Sequence, residues 1–210
     1  MVRKDKTLNL EILNSAKKEF LTYGYQEASL RRICKNAGVT TGALYKRYSG
    51  KEALFGTLLE PTVQAIEMMK QEYLQNDYQL LRENRLSQMW NKSLDELTDI
   101  MQFIYDHEDN MRLLLFKSHG SKFETFQQEM IEGLTDSTYH YLEQAYQEGK
   151  ISHILDKSQL CLAMIAYYKA IIQPLEQGWS YQEALLACQT IILACQTIIK
   201  LFNWSHLLGF

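Results

Sequence analysis

SLRRICKNAGVTTGALYKRYSGKEALF, residues 29–55, is the stretch on which the reading of the whole chain turns. It predicts two short helices that meet at a glycine-containing turn, followed by the start of a longer third one. Ser29 is a favourable N-cap, and Leu30, Ile33 and Cys34 give the first of these helices one apolar face at i, i+3 and i+4. Asn36-Ala37-Gly38 stops it, because glycine takes the left-handed conformation that a helix C-terminus favours. Val39 plugs the turn, Thr40 or Thr41 caps the second helix, and Gly42 to Tyr48 is its predicted span, with Leu44 and Tyr48 inward. Two helices, a turn of three or four residues with a glycine, and a second helix free to enter a major groove are the elements of a helix-turn-helix.

The outer side of that second helix is chemically suited to duplex DNA. Threonine hydroxyls reach base edges or phosphate oxygens, and the threonine methyl packs on a thymine methyl. Thr40, Thr41 and Gly42 stand at the helix start, with Tyr45, Lys46 and Arg47 beyond them. Lys46, Arg47 and Lys51 can neutralise phosphates, and Gly42 lets the backbone press close to the duplex.

With the preceding helix included, the first 60 or so residues resemble the DNA-binding domain of tetracycline-repressor-type (TetR) regulators. The resemblance rests on Ala16, Phe20, Gly24, Tyr25, Ile33, Ala37-Gly38-Val39, Gly42-Ala43-Leu44-Tyr45, Lys51-Glu52 and Leu54-Phe55. Cys34 stands where that family usually has Ala, Tyr48 where Phe is usual, and Gly50 where a small polar residue is common. The resemblance implies a homodimeric, ligand-responsive transcriptional regulator, most often a repressor, bound to a palindromic operator. It places the DNA contacts at Thr40, Thr41, Gly42, Tyr45, Lys46 and Lys51, with Arg47 and Ser29 as secondary contacts.

Charge follows the same division. The 210 residues carry a net charge of -3, which looks wrong for a DNA binder until the chain is divided. Met1 to Lys51 has 11 Lys and Arg against 4 Asp and Glu, hence +7, and the remaining 11 basic and 21 acidic residues give -10. Such asymmetry marks a nucleic-acid-binding module joined to another part, and it draws the basic end toward DNA while the acidic part is repelled. The expected domains are therefore 1–51, a helix-turn-helix head, and 52–210, an effector-binding and dimerisation part. Neither a signal peptide nor a convincing membrane span is legible, and a cytoplasmic location is expected. The four cysteines, Cys34, Cys161, Cys188 and Cys195, lack CxxC spacing and read as small buried hydrophobes.

Along the chain, a supporting helix is predicted at about Asn9 to Tyr23 with Ile12, Leu13, Ala16 and Phe20 inward. Arg3, Lys4 and Lys6 precede it as a basic arm that is either solvated or in contact with phosphate. The fourth helix opens at Lys51, and Pro61 predicts a kink or break near Gly56 to Glu60. Polar residues from Gln75 to Arg85 read as a loop. Further helices are expected near 86–107, 111–118, 123–147, 158–177 and 181–208, giving an all-α protein of about nine helices.

The last helix contains the heptapeptide LACQTII twice, at Leu186 to Ile192 and Leu193 to Ile199. A seven-residue repeat drifts by only about 20° around a helix, so both copies show nearly the same face. Leu185, Cys188, Ile192, Cys195, Ile199 and Phe202 form a coiled-coil-like seam, and Met164, Tyr168 and Ile171 of the preceding helix offer a facing surface. The resemblance implies that these two helices form a four-helix dimer interface with a second copy.

No GxGxxG, P-loop, HExxH, GxSxG or CxxC pattern is present, and no enzyme, cofactor or metal role is expected. Asp106-His107-Glu108-Asp109 is a poor ligand set, because successive residues on a helix point in different directions. Met89, Trp90, Met101, Tyr105, Met111, Phe116, Tyr167 and Tyr168 are guessed to line a small-molecule effector cavity, although such residues more often build core. A different class, a ligand-binding or protein-docking module with a vestigial helix-turn-helix, would lack the steep salt dependence of DNA binding.

Overall fold

The computed structural model describes residues 2–85 and 89–201, with the side chains of 2–6, 89–94, 192 and 194–201 left aside. Phe202 lies outside the described residues. Among the described residues there are nine helices and no strand. They are α1 (Val2–Glu27), α2 (Leu30–Asn36), α3 (Thr41–Tyr45), α4 (Lys51–Arg82), α5 (Met89–Asp106), α6 (Glu108–Phe116), α7 (Phe126–Gln147), α8 (Lys157–Gln177) and α9 (Tyr181–Leu201).

Packing divides the chain into two compact units, residues 1–67 with 107–127 and residues 68–106 with 128–210. In the first unit, the apolar face of α1 (Ile12, Ala16, Phe20) is fully buried, as are Ile33 of α2, Leu44 of α3 and Leu54 and Phe55 of α4. Phe20 meets Phe55 edge-on at 4.7 Å, and Phe55 also touches the rings of Tyr25 at 5.0 Å and Phe123 at 6.0 Å. Aromatic clusters of this kind add about 0.5–1.5 kcal/mol per pair beyond area burial. In the second unit α9 packs on α5 and α8, while Leu81, Tyr141, Ala145 and Ile151 form a separate buried cluster joined by Tyr78.

Three expectations need correction. The first helix starts at Val2 rather than Asn9, so the basic arm of Arg3, Lys4 and Lys6 is carried on helical backbone. At its other end Gly24 breaks the helical conformation with φ 73 and ψ 168, as expected, and only glycine adopts that pair without strain. Second, of the kink or break expected near Pro61, the break is absent: α4 runs on through the proline. Asn110 on α6 donates to the Leu58 carbonyl at 3.1 Å and to Thr62 Oγ1 at 2.9 Å, tying α6 to the turn that carries the proline. Third, no loop begins at Gln75: α4 continues to Arg82. Tyr78 and Leu81 within the polar run continue the helical spacing from Leu74, and Leu81 is fully buried. Asn84, at φ 57, ends the turn that follows.

Candidate nucleic-acid interface

The helix-turn-helix is assembled from local hydrogen bonds. Ser29 is extended at φ -115, and its Oγ accepts from the Arg32 amide at 3.5 Å, which starts α2. Gly38 turns the chain at φ 65, and the Val39 amide donates back to the Cys34 carbonyl at 2.9 Å. Thr40 then caps α3, with its Oγ1 accepting from the Ala43 amide at 3.1 Å. Leu44 is fully buried and Tyr48 nearly so, which fixes the inner side of α3. Burial raises the phenol of Tyr48 above its ordinary pKa.

The outer side of α3 is open. Thr40, Thr41, Gly42, Tyr45 and Lys46 are all exposed, Tyr45 to 57% despite its large ring. A Cβ added at Gly42 would come no closer than 3.9 Å to any neighbour, the nearest being Thr40 Oγ1, so the chain's own packing does not require glycine there.

The other sequence-derived contacts face inward. Ser29 is a cap. Arg47 is half-buried, donating through Nε to Asn9 Oδ1 at 2.7 Å and through Nη1 to the Ala43 carbonyl at 3.0 Å. Lys51 Nζ donates to the carbonyls of Gln26 at 2.9 Å and Ala28 at 3.3 Å and sits 4.7 Å over the Tyr25 ring. These cations hold the head together in this conformation.

Sequence reading missed the acid at the centre of the head. Glu19 is only 4% exposed, and its Oε1 accepts from the Ser29 amide at 2.8 Å and from Arg32 Nε at 2.7 Å. Arg32 Nη2 lies 2.6 Å from the same oxygen, while the guanidinium also donates to the Glu27 carbonyl at 2.8 Å and stacks 4.3 Å over Tyr23. Hydrogen bonding to Glu19 raises the pKa of Arg32. Buried Ser15 donates to the Ile33 carbonyl at 2.9 Å, a second polar tie between α1 and α2. The signal was available: Ser15 and Glu19 fall on the same face of α1 as Ile12, Ala16 and Phe20, where a polar group demands a partner.

The remaining candidates fall in both units. Met101, Tyr105, Tyr167 and Tyr168 lie in the second unit, and Met111 and Phe116 in the first. Met101 and Met111 are buried, and Tyr105 donates its hydroxyl to the Trp179 carbonyl at 2.9 Å. The side chains of Met89 and Trp90 lie outside the described set. Of the seam residues, Tyr168, Ile171 and Cys188 are buried within the chain, Met164 and Leu185 are half-buried, and the side chains of Ile192, Cys195 and Ile199 are not described. Apolar side chains open to solvent on α8 and α9 are instead Leu162, Ile165, Leu186, Ile191 and Leu193. Cys188 donates to the Ala170 carbonyl at 3.4 Å, and burial raises both its thiol and that of Cys34. Asp106-His107-Glu108-Asp109 spans the junction of α5 and α6, where Glu108 pairs with Arg112 at 2.9 Å and Asp109 with Lys17 at 3.9 Å.

Among the described residues no helix is long and apolar enough to cross a membrane.

Residues 12–58 match the family model for bacterial regulatory proteins of the tetR family. The HTH-type transcriptional regulator UidR of Escherichia coli K12 is 38% identical over 61 residues. That match takes in 29% of this chain and 27% of UidR, so the chain matches about a quarter of the length of that curated relative. Among solved structures, NalD of Pseudomonas aeruginosa, the secondary repressor of the MexAB-OprM multidrug efflux pump, is similar over 91% of this chain and 96% of its own, with a TM-score of 0.57 at 16% identity. The transcriptional regulator FadR of Bacillus subtilis, solved in complex with stearoyl-CoA, gives a TM-score of 0.53 at 15% identity, covering 87% of this chain and 95% of its own. At such identities the likeness extends to the fold. By sequence the likeness to bacterial regulatory proteins of the tetR family is confined to residues 12–58, and over most of the chain it is a likeness of fold.

Proposed function

We propose that this protein is a ligand-responsive transcriptional repressor that binds a palindromic operator as a homodimer. The observation that carries the reading is the outer side of α3, where Thr41, Gly42, Tyr45 and Lys46 face solvent while Ser29, Arg47 and Lys51 are engaged inside the head. An exposed tyrosine beside a lysine and a glycine whose Cβ position is open has no packing rationale, and each group has one against a major groove. Lys51 remains a candidate phosphate contact, by exchanging its carbonyl partners for a phosphate oxygen. The basic balance of residues 1–51 and the regulator similar to them agree with this role.

Dimerisation follows from the same reading. Leu162, Ile165, Leu186, Ile191 and Leu193 are large apolar groups on two successive helices, and a second copy covering them would fix two reading helices at one separation. Half-sites are then expected about 34–36 Å apart or at a multiple of that distance. A small-molecule effector bound in the 52–210 part, without a cofactor, would shift operator affinity by binding two arrangements of the chain unequally. Acting on DNA, the protein would work in the cytoplasm. Selection of bound duplexes from a random pool tests the proposal. Enrichment of an inverted repeat supports it, and recovery of unenriched sequence overturns it.

A further inference from the structure

We infer that Arg47 is a positioning residue for α3, braced by Asn9, rather than one of the phosphate contacts. The inference rests on the proposed DNA-reading role of α3. A five-residue helix has no stability of its own, because nucleation costs more than one turn of hydrogen bonds returns, so something must hold α3 in place. Its inner side is held by Leu44, and its start by the Thr40 cap. Its far end is held by Arg47, which bonds the Ala43 carbonyl at 3.0 Å, an acceptor left unpaired at a helix C-terminus. The same guanidinium reaches Asn9 Oδ1 at 2.7 Å, 38 residues away on α1. Asn9 is free for this because α1 begins at Val2: had the helix opened at Asn9, that side chain would have been spent as its cap. One planar fork thus ties the end of the reading helix to the scaffold helix, a geometry that lysine, a single flexible ammonium, does not reproduce. Tyr45 and Lys46, immediately before Arg47, take their aim from that tie.

The test uses the full chain and a labelled duplex recovered from the random-pool selection, titrated between about 50 and 200 mM salt. Arg47→Ala, Arg47→Lys and Asn9→Ala should each weaken binding by a similar factor, roughly three- to thirtyfold. The Asn9→Ala/Arg47→Ala double variant should be no weaker than Arg47→Ala alone. The slope of log affinity against log salt should stay at the wild-type value in all four. The brace is overturned if Arg47→Ala lowers that slope by about 1 while Asn9→Ala binds as wild type, since that is the signature of one lost phosphate contact. It is equally overturned if Arg47→Lys retains wild-type affinity, or if the two single losses multiply. A DNA-free arm measures hydrogen exchange over residues 41–48. Faster exchange in Asn9→Ala supports the brace and unchanged exchange refutes it, even if the wild-type chain bound no duplex, a failure that would fall on the proposed function instead.

Discussion

Removing the Glu19 carboxylate should loosen the helix-turn-helix without touching its outer face. The acid is 4% exposed and one oxygen serves the Ser29 amide at 2.8 Å and Arg32 at 2.7 and 2.6 Å. The Arg32 side chain is 46% exposed, so water replaces its lost partner and that pair adds little to stability. The bond from the half-buried Ser29 amide is charge-assisted and contributes about 1.5–3 kcal/mol. Glu19→Ala should therefore cost about 1.5–3 kcal/mol. Glu19→Gln, which keeps an acceptor but not the charge, should cost about 1 kcal/mol. At about 1.4 kcal/mol per factor of ten, the alanine variant should open α2 at least roughly tenfold more often. Hydrogen exchange resolved to residues 30–36 reads that opening directly, with residues 160–175 in the second unit as the internal reference. Exchange of α2 within about twofold of wild type in Glu19→Ala would refute the reasoning, as would Glu19→Gln proving as damaging as alanine.

Three further expectations follow from single features. Pro61→Ala restores a donor inside α4 and should stabilise the chain by about 1 kcal/mol in a thermal melt; if operator affinity and effector response then stay unchanged, the proline has no part in transmission. Burial, with the hydrogen bond to Glu52, raises Tyr25 from 10.0 to about 12. Its folded pKa exceeds its unfolded one, so its contribution to stability is complete below pH 10 and is lost as the pH rises toward about 12. Urea unfolding across that window should show a shallower decline for Tyr25→Phe than for wild type, and parallel declines would contradict the assignment. Finally, Leu162→Asp with Leu186→Asp should convert the proposed dimer to a monomer in sedimentation while helicity is retained, and an unchanged sedimentation coefficient would remove that face from the interface.

The helix-turn-helix was legible because its signals are local. Ser29, Gly38 and Thr40 act on backbone within three or four residues, and Leu44 and Tyr48 face inward as helical spacing requires. What escaped the sequence depends on partners far along the chain. Glu19 looks like one more surface acid until α2 is packed against it, and nothing near Arg47 or Lys51 in the sequence shows that Asn9, Gln26 and Ala28 will be brought to them. The polar run from Gln75 hid a helix because its apolar residues are sparse, although Tyr78 and Leu81 continue the helical spacing from Leu74. The seam expected on α9 was hard to place for a similar reason. A helix apolar over much of its circumference does not declare which face its own chain will cover, and Cys188 turns out to pack toward Ala170 while Leu186 faces solvent.

The central claim is that the open side of α3 reads duplex DNA, and the salt-resolved titration of Tyr45→Ala/Lys46→Ala tests it most directly. The account predicts that the wild-type chain discriminates its selected duplex from a scrambled one, with log affinity falling linearly in log salt. In the double variant that discrimination should vanish while the circular dichroism spectrum is unchanged. A folded double variant that keeps both its affinity and its selectivity would contradict the account.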